Sequence, residues 1–288
     1  MADIKIAAVT RAGIYSPNHI GNDTAILNLV AEQLRKRGCE VTVYNEESLV
    51  AGRVNEDIIV NMCREPESIA ELQKREDLGA IVINSGYGIE NCIRERMSRI
   101  LAGNDIPYPQ TITVNTDEGV KEKLTALKFG RCWVKRADCH TKHKEDISFV
   151  RHAEEAQEVL QEYFLRGIKR ATISRHIAGD LVKFYGVTGT DFFYSFYPMR
   201  SEQGKYGLES VKQAKGKTPP DNRLRLMCEK AAETLDIRIY GGDVIVGTDG
   251  DMKIIDFKDW PSFAPCRNEA APHIAKAIMS VIKQNHRR

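Results

Sequence analysis

The sequence lacks a long apolar run, since no stretch approaches the roughly 20 residues that a membrane-spanning helix needs. It also lacks a charge excess, because the net charge is only +2 and the lysines and arginines are scattered along the chain. A scattered distribution of this kind offers no basic surface for nucleic acid or for a membrane. The sequence therefore predicts neither as a partner. Residues 1–9 resemble a first strand rather than the apolar core of a signal peptide.

Paired cysteines are missing as well. The seven cysteines are odd in number and dispersed, which favours reduced thiols and predicts a cytoplasmic protein. One local group, Cys132, Cys139, His140 and His143, lacks the closely paired spacing of a zinc site. Cys132 also lies in an apolar segment, where a cysteine usually acts as a small hydrophobic residue. The sequence therefore predicts no zinc.

The first third of the chain alternates short buried strands with amphipathic helices, a pattern typical of right-handed crossovers and a parallel sheet. Ligands bind such sheets at the carboxyl ends of the strands. Polar residues follow the expected strands at Arg11, His19, Asn22 and Asn84. We expect a binding site there, although Asn22 has an alternative role as a helix-capping residue.

A proline-punctuated segment, 105–111, then separates this region from a mixture of strands and helices. A short strand at 131–136 carries Lys135 near its end. An alternating strand at 181–187 places Lys183 and Tyr185 on one face. The chain is thus predicted to be α/β followed by α+β, with domains at 1–104, 105–178 and 179–288.

Asp249-Gly250 is a strong hairpin signal between two β-branched runs. A two-residue turn there would pair Val246 with Lys253 and would place Asp243 directly opposite Asp256. Opposed carboxylates repel each other, so we expect a cation between them, and Mg²⁺ that shares its shell with phosphate oxygens suits two carboxylates. The alternative is that both side chains face solvent.

The order of these segments resembles the ATP-grasp superfamily over almost the whole chain. Val134-Lys135 is similar to the family's first nucleotide-binding lysine, 173–187 to its hinge strand and following hairpin, and 240–263 to its metal-binding acids. The resemblance implies an ATP-grasp fold in which a parallel-sheet domain precedes two α+β subdomains that clasp ATP and Mg²⁺. Within that superfamily the chain is similar to carboxylate–amine ligases of the glutathione synthetase and RimK type.

The resemblance also implies roles for individual residues. Asp243 and Asp256 would bind the metal. The nucleotide would be held by Lys135, Lys142 and Lys183 and by the backbone of Arg175, His176 and Ile177. The catalytic candidates are Lys183, Arg200, Lys258 and Arg267, and the substrate-binding candidates are Arg11, His19, Asn22 and Arg267. Each lysine has an alternative interpretation as a solvated strand-end residue, and Arg200 and Arg267 as surface charges.

Three features depart from the family pattern. The loop 137–145 contains no glycine, so side chains such as Lys142 would replace a backbone phosphate cradle. Ser174-Arg175 stands where the family commonly has Gln-Glu, so a carboxylate for the ribose hydroxyls is missing. Lys258 stands where the family commonly has an asparagine metal ligand, and an ammonium group cannot bind a metal.

The resemblance implies an ATP-dependent ligase that joins a small-molecule carboxylate to an amine through an acyl phosphate. Ligases of this fold are often dimers, so a homodimer is the implied assembly. One alternative is a kinase of the same fold for an inositol phosphate or a sugar, with an acceptor pocket of Arg94, Arg96, Lys142 and Lys144. A second alternative, motivated by the three departures, is a non-catalytic nucleotide-binding protein.

Overall fold

The structure is a computed structural model that describes residues 4–16, 20–138, 143–198 and 221–285. The described residues form three four-stranded sheets, which follow one another along the chain. The strands of the three sheets come from the separate stretches 4–83, 111–175 and 180–259. No helix in these ranges is long and apolar enough to cross a membrane.

The first sheet is parallel, with the strand order β2-β1-β3-β4, as the alternating pattern predicted. Strand β3 was not predicted, because a four-residue buried strand has too few positions to show a period. The elements of this region are β1 (Ile4–Thr10), α1 (Ile20–Arg35), β2 (Cys39–Asn45), α2 (Glu46–Val50), β3 (Ile58–Asn61), α3 (Pro66–Asp77), β4 (Ile81–Ile83), α4 (Gly86–Asn91) and α5 (Arg94–Gly103).

Helix α3 shows the expected end signals. Pro66 occupies its first turn, where no backbone donor is needed, and Lys74 and Arg75 lie in its last turn. Helix α1 begins at Ile20, so Asn22 lies inside the helix and the alternative of a capping role for it is wrong. The Asp23 carboxylate is buried in the first turn, where it accepts hydrogen bonds from Arg11 and Ser16.

The second sheet is antiparallel, in the order β5-β8-β6-β7. Two helices cover one face, and the core between them draws only on residues from 112 to 173. The elements are β5 (Thr111–Asn115), α6 (Lys121–Ala126), β6 (Cys132–Arg136), β7 (Ile147–Val150), α7 (Ala153–Leu165) and β8 (Arg170–Arg175).

The third sheet is also antiparallel, in the order β10-β9-β11-β12. It continues directly from the second through residues 176–179. The elements are β9 (Asp180–Val187), β10 (Phe193–Phe196), α8 (Asp221–Thr234), β11 (Ile239–Val246), β12 (Met252–Asp259) and α9 (Arg267–Asn285).

The last helix, α9, packs against α1 rather than staying with the third sheet alone. Trp260 and Phe263, in the loop before α9, are fully buried in the same core as the first sheet. The side chain of Asn84, at the end of β4, binds the backbone of Arg238 and Ile239 at the start of β11. The first and third sheets are therefore joined by shared core and by buried hydrogen bonds.

Candidate active site

The third sheet brings the predicted acids together. Asp243 on β11 lies directly opposite Asp256 on β12, so the predicted pairing is confirmed. On the other side of β11, Lys183 on β9 lies opposite Asp243. Directly opposed residues share a face, so the three side chains form one row across the sheet. Lys183 Nζ lies 2.8 Å from Asp243 Oδ1.

The predicted turn was wrong, although the pairing of the acids was right. Val246 pairs with Met252 rather than with Lys253, so the loop runs from 247 to 251. Asp249 Oδ1 accepts the Asp251 N–H, and this side-chain bond favours a wider turn than the two-residue form. The register shifts by one residue between Asp243 and Val244, which makes Ile255 an extra residue in β12 and returns Asp256 to its place opposite Asp243.

Lys258 lies two residues after Asp256 and shares its face, as expected. Its Nζ is 3.3 Å from Asp256 Oδ2, so each acid of the pair is bound by a lysine. Burial raises the pKa of Asp256, but Lys258, Arg94 and Lys135 more than reverse this effect, and the net pKa lies well below its usual range. The Asp256 side chain is therefore a carboxylate at any physiological pH.

Lys135 reaches the acids from the second sheet. Its Nζ donates to the carbonyl oxygen of Ile255 at 3.3 Å. Ile255 is the residue that the bulge inserts into β12. Burial, reinforced by Arg94, lowers the Lys135 pKa to about 8, against partial compensation from Asp256 and Asp243. The inner face of the second sheet and the acidic face of the third therefore meet at this lysine.

Arg94, at the start of α5, is a site residue that sequence reasoning placed only in the kinase alternative. It is buried, its Nη1 donates to the Arg136 carbonyl at 2.7 Å, and its charge acts on both Lys135 and Asp256. The sequence held one signal for its orientation. Arg94 lies three residues before the buried Met97, so both occupy the inner face of the helix.

An aromatic cluster lies beside Lys135 on the inner face of the second sheet. Trp133 pairs with Phe149 across β6 and β7, and their ring centroids are 5.1 Å apart. His176 lies 5.2 Å from Phe149 between ring centroids, and the Trp133 indole N–H donates to its Nδ1 at 3.3 Å. The position of Trp133, two residues before Lys135 in a strand, is the signal that would have found it.

The predicted hinge follows β8. The Arg175 and His176 N–H groups donate to the carbonyls of Gln110 and Arg131, at 2.9 and 3.0 Å. These two donors therefore stabilise the hinge itself. Of the three predicted hinge residues, only Ile177 has an N–H without a backbone acceptor in the described part of the chain.

Arg11 was expected to bind substrate, but its guanidinium is buried and bound on all sides. Nη1 donates to Asp23 at 2.8 Å, Nη2 to the Trp260 carbonyl at 2.9 Å, and Nε to the Met62 carbonyl at 3.1 Å. A substrate carboxylate would have to displace one of these acceptors. In the structure, Arg11 connects the first sheet to the end of β12.

Asn22 and Arg267, two further substrate candidates 245 positions apart, are brought together. Arg267 Nη2 donates to Asn22 Oδ1 at 2.7 Å, where the first turns of α1 and α9 meet. The Arg267 Nε is buried and has no hydrogen-bond partner among the described residues. The pair therefore has an unused buried donor. His19, Lys142 and Arg200, the remaining candidates, lie outside the described residues.

A cleft of about 810 Å³ lies between α5 and the segment 108–113. It is lined by Arg96 and Arg99, but also by the carboxylates of Glu90, Glu95 and Asp138. Three acidic groups thus outnumber two basic ones there, and the described part of the cleft is not the strongly basic pocket that a phosphorylated acceptor would need.

No protein-family model matches the chain, and no curated protein matches its sequence. Solved structures do match. A D-alanine–D-alanine ligase from Bacillus anthracis complexed with ATP is 15% identical, with 99% of this chain and 98% of that chain covered and a TM-score of 0.71. The D-alanine–D-alanine ligase from Coxiella burnetii is 12% identical, with 99% and 97% covered and a TM-score of 0.72. The ATP-grasp ligase PsnB, complexed with a precursor peptide and AMPPNP, is 14% identical, with 96% and 97% covered and a TM-score of 0.58. At these identities the likeness concerns the fold, and over nearly its whole length the chain has the ATP-grasp fold.

Proposed function

We propose that the chain is an ATP-dependent ligase that joins a small-molecule carboxylate to an amine through an acyl phosphate. The observation that carries the proposal is the opposed pair Asp243 and Asp256. Each acid is bound by a lysine of its own sheet, and Lys135 faces the pair from the other sheet. This is an arrangement of charges suited to a polyphosphate and its cation.

The nucleotide would lie between the second and third sheets. Trp133, Phe149 and His176 offer aromatic surface for the adenine ring, and Ile177 offers a backbone donor for its edge. Lys135, Lys183 and Arg94 would neutralise phosphate oxygens. Lys142 belongs to the same proposal as a side-chain phosphate ligand.

The donor chemistry fits Mg²⁺. Asp243 and Asp256 supply two hard carboxylates at adjoining positions, which is the number that Mg²⁺ commonly takes when phosphates complete its shell. When bound, the ion would offset the negative charge of phosphate oxygens.

The chain's own residues would act on two steps. In the first, a substrate carboxylate oxygen attacks the γ-phosphorus, the bond to ADP breaks, and Lys183, Lys258 and Arg94 stabilise the charge on the transferring group. In the second, the amine nitrogen attacks the acyl carbon, and phosphate leaves as the C–O bond breaks. The nitrogen loses a proton to the surroundings as the amide forms.

Arg267 and Asn22 would hold the substrate. The planar guanidinium of Arg267 can bind a carboxylate through two parallel hydrogen bonds, and its buried Nε still has a proton to donate. His19 and Arg200 belong to the same proposal, and so does Arg11 if a substrate displaces one of its present acceptors. The D-alanine–D-alanine ligases and PsnB support a ligase because they share the fold over the full length.

Isotope transfer tests the proposal. The full chain is incubated with ATP, Mg²⁺ and pooled carboxylic acids labelled with ¹⁸O in the carboxyl group, with hydroxylamine as a general amine. A ligase would form hydroxamate and release phosphate that carries one ¹⁸O, because the carboxyl oxygen leaves with the phosphoryl group. Phosphate without label would contradict the acyl phosphate.

A parallel incubation with polyols in place of the carboxylic acids and hydroxylamine separates the alternatives. A kinase would transfer phosphate to a polyol without any amine and without releasing free phosphate. A non-catalytic protein would bind ATP and release no ADP with any acceptor. The mixed charge of the described residues that line the cleft beside α5 does not favour the kinase.

A further inference from the structure

The acidic site contains few groups that could bind a metal. Asp243 and Asp256 are only two such groups. Residues 4–16, 20–138, 143–198 and 221–285 contain no cluster of three or more His, Cys, Asp or Glu side chains that could hold a metal. Mg²⁺ needs six ligands in near-octahedral geometry, and two neighbouring ions have to divide the protein carboxylates between them. Two carboxylates with phosphate oxygens and water suffice for one ion.

An ammonium group already lies beside the second acid. Lys258 Nζ is 3.3 Å from Asp256 Oδ2, and its side chain keeps about a third of its surface exposed. The residue directly opposite Lys258 on β11 is Gly241, which contributes no side chain to that position. The ammonium is therefore placed on the acidic face, where a cation would approach Asp256.

The surrounding charges agree with one ion. Four cations, Lys135, Lys183, Lys258 and Arg94, act on the two carboxylates, and these six groups carry two net positive charges. A nucleoside triphosphate with one Mg²⁺ carries about two net negative charges, whereas a second Mg²⁺ would bring it to about zero. A complex with a single ion is therefore the one that neutralises the site.

We infer that this chain takes its nucleotide with one divalent cation, and that the Lys258 ammonium occupies the position where a second cation would bind. The inference rests on the proposed function, since it presumes that a nucleoside triphosphate binds here. It assigns Lys258 an electrostatic role towards phosphate oxygens in place of a metal ion.

Manganese stoichiometry tests the inference without any turnover. Mn²⁺ is titrated into the full chain with a saturating non-hydrolysable ATP analogue, and free Mn²⁺ is followed by its electron paramagnetic resonance signal. The wild-type chain should bind one Mn²⁺ per nucleotide. Lys258→Asn supplies an amide oxygen and removes the ammonium, so it should bind two, with the spectral signature of two coupled ions.

Lys258→Met is the matched control, because it removes the charge without adding a ligand. It should bind one Mn²⁺ with nucleotide affinity reduced roughly tenfold, the effect of losing one charged contact. Two coupled ions in the wild-type chain would overturn the inference and leave the proposed function intact. If the Lys258→Asn variant is folded by circular dichroism and still binds one Mn²⁺, the assignment of Lys258 to the position of a second cation would be overturned. Absence of nucleotide binding in the wild-type chain would overturn the proposed function and this inference together.

Discussion

The Lys135 ammonium lies 3.3 Å from the carbonyl oxygen of Ile255, the residue that the β12 bulge inserts beside Asp256. Because a bulged residue is left out of the regular ladder, its carbonyl is available to a side chain. The irregularity that places Asp256 opposite Asp243 thus also provides the contact that brings the second sheet to the third.

Lys135 should take up a proton when the nucleotide binds. Burial lowers its pKa to about 8, so about half of the lysine side chains are protonated in the nucleotide-free protein near pH 8. A phosphate bound beside Lys135 raises this pKa again, because it favours the charged form. Calorimetry in buffers of different ionisation enthalpy should show an uptake of about half a proton at pH 8 and close to none at pH 6.5. Lys135→Arg is the control, because a guanidinium stays charged and should abolish the uptake while nucleotide still binds. An uptake that persists in this variant would assign the proton to another group.

The same lysine predicts a pH dependence of stability. Its folded pKa lies below its ordinary value of 10.5, so the unfolded chain binds more protons between about pH 8 and 10.5. The contribution of Lys135 to the free energy of unfolding should therefore rise with pH across this window and stay constant below it. Urea unfolding of the wild-type chain and of Lys135→Met, compared at pH 7 and pH 9.5, would measure it. An equal change in both proteins would contradict the prediction.

Asp256→Asn should remove turnover and weaken binding of the nucleotide with its cation at least tenfold, because it takes one of two carboxylates from the metal. Asp251→Asn is the matched control, since Asp251 lies in the same hairpin but its side chain is exposed in the loop. That variant should behave as the wild type. Binding is measured by calorimetry with a non-hydrolysable analogue, and equal affinities of the two variants would remove Asp256 from the site.

Gly242→Ala should displace the strand that carries Asp256. A methyl group at Gly242 would lie 2.2 Å from the Asp256 carbonyl oxygen and 2.7 Å from the Phe184 ring, so the hairpin must shift. We expect a loss of about 1–3 kcal/mol in the free energy of unfolding and a parallel loss of metal binding. Gly130→Ala, where the added methyl meets nothing within 4 Å, should change neither. Denaturant titration and Mn²⁺ binding measure the two effects.

Asp259→Asn should be among the more destabilising single changes. The Asp259 carboxylate is 1% exposed and binds Arg64 at 3.1 Å and Arg11 at 3.7 Å, so its neutralisation leaves the buried Arg64 guanidinium without its counter-charge and leaves Arg11 with Asp23 alone. Breaking a buried pair of this kind costs about 3–5 kcal/mol. Glu47→Gln, which breaks the exposed pair with Arg53, should cost less than about 1 kcal/mol. Urea unfolding of both variants compares them, and a small loss for Asp259→Asn would show that the buried pairs contribute little.

Arg267→Ala should raise the KM for the carboxylate substrate by roughly 10- to 100-fold, because a charged hydrogen bond is worth about 1.5–3 kcal/mol. Arg267→Lys keeps the charge but loses the two-pronged geometry, so its KM should fall between those of the wild type and the alanine variant. Arg37→Ala is the control, since Arg37 is an exposed arginine that reaches the Pro272 carbonyl on α9 away from this turn. The hydroxamate assay supplies the rates, and an unchanged KM in Arg267→Ala would remove this residue from the substrate site.

The sequence predicted the fold class and the opposed acids. The pairing of the acids was predicted correctly only because two errors in the assumed strand register cancel each other. The assumed two-residue turn at 249–250 is in fact a five-residue loop at 247–251, which shifts the strand pairing by one position, and the bulge at Ile255 restores the pairing at Asp256. A bulge is set by tertiary contacts such as that of Lys135, so strand periodicity cannot reveal it. Arg94 shows a similar limit, because helix periodicity gave its face but nothing in the sequence showed that this face meets Asp256.

The sequence predicted that Arg11 binds substrate, whereas in the structure Arg11 connects the first sheet to the end of β12. An arginine after a buried strand is equally consistent with binding a substrate carboxylate and with binding a carboxylate of the protein. Its partner Asp259 is 248 positions away, and only the folded chain brings them together. Local pattern carries no information on such distant partners.

The core of the second sheet determines how Lys135 is connected to Asp243 and Asp256. Its residues all come from 112–173, while the segments before and after belong to the body that α1 and α9 hold together. The middle segment is therefore an insertion, and its backbone connects to the rest of the protein through two short crossings. One crossing carries Pro107 and Pro109, and the other is the segment 176–179. Lys135 belongs to the insertion, whereas Asp243 and Asp256 belong to the body. A ligand that binds both Lys135 and the two acids would therefore fix the angle between the two parts.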